Sequence, residues 1–136
     1  MKAGLKFIAA FLIIIGASVL VFPNPMWGDE EESDDTEELH EKGEQIFQEK
    51  ACVSCHTIGG GKLVGPDLKG VTERREQEWL RKWLKSPETM IYTDPIAKEL
   101  LKQYLVPMPN QGLTDEDIDA LMAYFEHEDS QDESKK

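Results

Sequence analysis

Cys52-Val53-Ser54-Cys55-His56 is the stretch on which the reading of this chain turns. It holds both cysteines of the chain and one of its three histidines. Two thiols three residues apart, followed at once by a histidine, form the attachment signature of c-type haem. Each thiol can add to one vinyl group of the porphyrin, and the next residue then carries its imidazole under the ring, where a nitrogen can bind iron. Two rival readings use the same cysteines. A thioredoxin-like redox pair belongs beside a βαβ pattern, and no such pattern is present. A structural zinc site needs four ligands, typically with a second Cys or His pair, whereas His40 and His127 are isolated in the sequence. The spacing therefore favours one covalent haem.

Iron held by one histidine has a sixth position to fill. The sequence offers His40, His127, Met26, Met90, Met108 and Met122. Met122 falls on an apolar helical stripe, where packing is its ordinary role. Met90 follows the Ser86-Pro87 break. Met108 lies between Pro107 and Pro109, so its backbone is excluded from a helix and belongs on a rigid extended loop. A thioether fixed in that way suits a ligand that must not move as iron changes oxidation state, which favours Met108.

Around these residues the pattern is helical and no strand is convincing. Leu39, Gly43, Ile46 and Phe47 share one face of a first helix. Trp79, Leu80, Trp83 and Leu84 mark a second, which Ser86-Pro87 should stop. Asp94-Pro95 reads as a cap followed by proline at the first helical position, opening a third helix with Leu100, Leu101 and Tyr104 inward. Thr114-Asp-Glu-Asp117 is a near variant of the capping box. Ile118, Leu121, Met122 and Phe125 then trace a last helix. Gly59-Gly60-Gly61 and Gly65-Pro66 mark the segment between the first two helices as loop.

The chain has 136 residues, 27 acidic against 15 basic, and a formal net charge of −12. That length suits one domain, and the acidity excludes nucleic acid as a partner. The charge is concentrated at the ends. Residues 29–41 contain nine acids and no Lys or Arg, while 43–125 carry 13 acids against 10 bases. At the start, Lys2 and Lys6 precede an uncharged apolar run over residues 7–22. A positive start before such a run is an export signature, and as a helix its 16 residues would reach roughly 24 Å. The expected organisation is a signal peptide or uncleaved membrane anchor at 1–28, an acidic linker at 29–41, a domain at 42–127 and a charged tail at 128–136. Either fate of residues 1–28 sends the rest to the periplasm or the outer face of the membrane.

Taken together, these residues resemble the class I single-haem c-type cytochromes of bacteria. The likeness runs from Gly43-x-x-x-Phe47 through Cys52-x-x-Cys55-His56-Thr57, Gly65-Pro66-Asp67-Leu68 and Trp79-x-x-x-Trp83. It continues through Met108-Pro109 and Leu113-Thr114-Asp115 to Ile118-x-x-Leu121-x-x-Tyr124. It implies an all-α cytochrome c fold of about four to five helices around a covalently bound haem. It also implies that the first and last helices cross near Gly43, with Phe47, Leu121 and Tyr124 at the crossing. The carbonyl of Pro66 would orient His56, Met108 would be the distal ligand, and Trp83 would pack beside the haem edge or in the core. One departure is the long segment from Ser86 to Val106, which carries a helix-like pattern of its own.

The expected function is one-electron transfer between respiratory donors and acceptors by a monomer that is not itself an enzyme. Lys62, Lys69, Arg74, Arg75, Arg81, Lys82 and Lys85 are candidates for a docking ring around the haem edge. A ligand sensor or peroxide-reactive cytochrome with a labile sixth ligand is the alternative. A second alternative is an electron-entry subunit of a larger respiratory complex.

Overall fold

The structure, a computed structural model, describes the backbone of residues 31–133 and the side chains of 35–131. The expected signal or anchor at 1–28, with its apolar run 7–22 and Met26, lies outside the described residues. The elements are α1 (Glu31–Glu49), a 3₁₀ turn (Cys52–Ser54), α2 (Val71–Arg74), α3 (Gln77–Lys85), α4 (Pro87–Thr93), α5 (Pro95–Tyr104) and α6 (Asp115–Glu133). No strand occurs among the described residues.

All four helices expected from the apolar pattern are present, and each expected cap works. Asp94 Oδ1 accepts from Ala97 N at 2.9 Å to open α5. Asp117 N donates to Thr114 Oγ1 at 3.1 Å, and Thr114 N donates back to Asp117 Oδ2 at 3.0 Å. That exchange is a capping box in which Asp does the work of Glu.

Helix reaches further than the apolar pattern alone predicts. From Glu31 onward the segment expected as an acidic linker is the first half of α1. Glutamate is a good helix former, and acidic residues near a helix N-terminus are favoured by the helix dipole. The charged end is likewise helical, since α6 runs to Glu133. Asp129, 6% exposed, turns inward to accept from Gly70 N, from Thr72 N at 3.0 Å and from Thr72 Oγ1 at 2.6 Å. It thereby caps α2, which has no side-chain cap of its own. Finally, Ser86-Pro87 stops α3 but starts α4: Ser86 N donates to Lys82 O at 3.0 Å, and Ser86 O accepts from Met90 N at 3.2 Å. A proline forbids helix behind it and suits the first turn of the next. The segment 86–106 is thus a corner between two helices.

The core is organised by α6 lying across α1. A Cβ placed on Gly43 would stand 2.0 Å from the carbonyl oxygen of Ala120, so only glycine permits this approach. Phe47 packs its ring 5.7 Å from Tyr124 and edge-on to Phe125 at 6.1 Å. Ala120 and Leu121 are fully buried beneath them.

The loop after the 3₁₀ turn is organised by one carboxylate. Gly59 and Gly61 adopt left-handed φ of 78° and 85°, which turns their N–H groups onto Asp67. Asp67 Oδ1 accepts from Gly59 N at 2.9 Å and Lys69 N at 2.8 Å; Oδ2 accepts from Gly61 N and from Thr57 Oγ1 at 3.0 Å. Burial acts to raise this carboxyl, but the backbone donors and the Thr57 hydroxyl outweigh it and hold it at about 2.

Two outcomes follow from these contacts. Gly43→Ala forces the α1 and α6 backbones apart and should cost about 3 kcal/mol in chemical denaturation; a loss under about 0.5 kcal/mol would show that the crossing can relax. Asp67 is depressed below its unfolded value, so its contribution is complete above about pH 4 and disappears as pH falls toward about 2. Asp67→Asn should therefore lower stability by roughly 1 kcal/mol at pH 7 after solvent screening and narrow its gap to the parent in acid. An unchanged gap from pH 7 to pH 2 would count against the carboxylate as the loop's organiser.

Candidate functional site

Ala51, in the left-handed region at φ 55°, turns the chain sharply off the end of α1. The turn that follows is closed on one oxygen: Cys55 N donates to Cys52 O at 3.1 Å and His56 N to the same atom at 2.9 Å. Both cysteines and the histidine are therefore set by one backbone carbonyl. Burial pushes the Cys52 thiol up, and its neighbour Cys55 adds to that effect.

His56 is held from its far side. Its Nδ1 lies 2.9 Å from Pro66 O. A carbonyl only accepts, so Nδ1 carries the proton and the Nε2 lone pair is left for another partner. Gly65 makes this possible, because a Cβ there would stand 2.6 Å from His56 Cε1. Gly65 N also donates to Cys55 O at 2.8 Å, which ties the two strands of the loop together.

The imidazole opens onto a cleft of two lobes, each including its mouth. One, about 790 Å³, reaches Cys52 and is floored by Phe47, Leu121 and Phe125. The other, about 600 Å³, reaches Cys55 and runs out between Val64, Tyr104 and Val106. His56, Pro66, Trp83, Leu100 and Met108 line both lobes. A flat macrocycle with two reactive edges needs this layout: a thiol in each lobe and the imidazole where they meet. Trp79 lines the larger lobe, where its buried indole N–H makes no full hydrogen bond and lies close enough to the Asp94 carboxylate to help hold it low. The Arg75 guanidinium stands 5.8 Å from that indole ring. These are donors suited to the two carboxylates of haem, so the residues present fit the group.

Of the candidates for a sixth ligand among the described residues, Met108 alone lines this cleft. It lies in irregular chain after α5, as its flanking prolines require. Met122 is a core residue at 2% exposure, and Met90 sits on α4. His40 and His127 are far from isolated. They stack on one another, with ring centroids 3.7 Å apart, but they do not line the cleft. Trp83 stacks on Trp79 at 5.6 Å and serves as both core and cleft wall.

Of the expected basic ring, Arg74 and Arg75 line the larger lobe, and most of its members have partners of their own. Lys82 pairs with Glu78 at 2.7 Å, Lys85 with Asp115 at 2.6 Å, and Arg81 with Asp119. Arg74 donates to the carbonyls of Lys69 and Asp67, and the Lys62 ammonium lies 4.6 Å from the centre of the Tyr104 ring. Sequence reasoning missed the parts played by Gly65 and Asp67. Their signal, Gly-Pro-Asp in a loop, was visible, but a turn explains it equally well.

The cytochrome c family model matches residues 40–128. A cytochrome c oxidase subunit 2 of Alkalihalophilus pseudofirmus is 31% identical over 99 residues, which cover 66% of this chain and 26% of that protein. The chain thus spans only about a quarter of the length of this curated relative. A cytochrome c from Rhodothermus marinus superposes with a TM-score of 0.67 at 28% identity, covering 70% of this chain and 80% of that one. The cytochrome c domain of the pp3183 protein from Pseudomonas putida gives 0.60 at 42% identity, covering 68% and 92%. A family match over most of the described residues, on a helical fold with a cleft that fits the cofactor, makes this chain a member of the cytochrome c family, an electron carrier that binds haem c covalently.

Proposed function

We propose that this chain passes single electrons between respiratory proteins through a haem bonded to Cys52 and Cys55 and ligated by His56 and Met108. The observation that carries this reading is that His56 and Met108 line both lobes of a cleft holding one cysteine in each. When bound, haem supplies an iron that changes oxidation state one electron at a time. The residues do the rest. Pro66 O fixes the imidazole and, by accepting a hydrogen bond from its Nδ1–H, makes Nε2 a stronger donor to the metal. Pro107 and Pro109 limit the movement of the thioether. The apolar walls exclude water, and a His/Met pair favours a raised reduction potential.

The encounter surface in this reading is apolar. Leu63, Val64, Leu105 and Val106 are all exposed, Leu105 at 81%, and Val64 and Val106 form the mouth of the Cys55 lobe. Brief redox contacts use small surfaces of this sort. The likeness to part of an oxidase subunit 2 points to a terminal oxidase as electron acceptor, or to this chain as the entry point of such a complex. Residues 1–28, as signal or anchor, would place the domain in the periplasm or at the outer membrane face.

Met108→Ala tests the ligand set. The oxidised parent should show the weak long-wavelength absorption of methionine-ligated haem, and the variant should lose it, drop in potential and bind carbon monoxide rapidly when reduced. A parent that already lacks the band and takes carbon monoxide rapidly belongs instead with ligand-sensing or peroxide-reactive cytochromes. Gly65→Ala should displace the imidazole and shift the same band with Met108 intact; an unaltered spectrum and potential would show that the Pro66 contact does not govern the ligand.

A further inference from the structure

The two histidines outside the Cys-x-x-Cys-His motif, far apart in the chain, meet where α1 passes α6. Their rings are nearly parallel, 12° apart, with centroids separated by 3.7 Å. Glu37, one turn before His40, brings Oε1 to 3.7 Å from His40 Nδ1. One ligating atom from each of Glu37, His40 and His127 lies within 4.8 Å of the others. The His40 side chain is only 12% exposed, and its Nδ1 is buried with no hydrogen-bond partner.

We propose that Glu37, His40 and His127 bind a divalent transition-metal cation, of the zinc or copper kind, that clips α1 to α6. A buried ring nitrogen without a partner is costly, and 3.7 Å is too long for the carboxylate to satisfy it directly. The His40–Glu37 gap is close to what a shared cation needs, since two donors each about 2.0–2.1 Å from a tetrahedral zinc stand roughly 3.4 Å apart; the stacked rings of His40 and His127 must tilt apart for both lone pairs to meet it. Two imidazoles and a carboxylate suit zinc or copper rather than magnesium or calcium, and three protein ligands leave a position for water. Gln131 Nε2 lies 3.2 Å from His127 Nε2, so His127 binds through Nδ1 or the amide gives way. The nine acids of residues 29–41, with no Lys or Arg among them, concentrate cations locally. None of the three residues lines the haem cleft, so the site is independent of the ligand set proposed above.

The test is zinc titration of chelator-treated holoprotein by calorimetry and thermal melting, with magnesium as control. One zinc per chain should bind and raise Tm by roughly 4–8 °C, with the haem spectrum unchanged and magnesium without effect. His127→Gln and the exposed-site variant Glu37→Gln should each weaken zinc at least tenfold while keeping the parent haem spectrum. Zinc binding that survives both substitutions undiminished, or an equal response to magnesium, would overturn the proposal. Should His127→Gln fail to fold, the unaltered holoprotein decides: copper should broaden the His40 and His127 ring resonances first. Broadening confined to the carboxylates of residues 29–41 rejects the site.

Discussion

A carbonyl oxygen of α6 lies where a side chain of α1 would be. That contact, between Gly43 and Ala120, sets the depth at which the two longest helices meet, and α2 and α3 take their position from α6. Asp129 on α6 caps α2, while Asp115 and Asp119 hold Lys85 and Arg81 of α3. Exposed pairs of this sort add little stability singly. Their value is positional, since α3 carries the tryptophans that wall the cleft.

The cleft is not a groove cut into a finished core. Phe47, Leu121 and Phe125 belong to the buried cluster and also floor the larger lobe, so core and cofactor site are one surface. A domain of this size can bury only a modest apolar area by itself. Haem therefore doubles as core material and redox centre. The same economy explains the loop beneath it. With few side chains to spare, a single carboxylate, Asp67, gathers four donors and leaves Pro66 O aimed at His56.

What could be seen in advance was local. The haem motif, the proline-flanked methionine and the caps of α5 and α6 each depend on residues a few positions apart, and each is legible because short-range chemistry decides it. Charge was less legible. Runs of Glu and Asp suit a solvated flank, yet from Glu31 and as far as Glu133 they are helical, and the helix dipole at the start of α1 and the inward-turned Asp129 of α6 make use of them. The histidine pair was invisible for the opposite reason. Its geometry arises from the crossing of helices at opposite ends of the sequence, and no spacing rule records such a meeting.

α1 also has a mechanical consequence. Its 19 residues form a rod of roughly 28 Å, with the cysteines just beyond one end and the leading segment of the chain joined to the other. If residues 1–30 are held at a bilayer, the helix works as a boom. The redox face is carried clear of the lipid, and small tilts at the base sweep it through a wide arc of orientations in search of a docking partner.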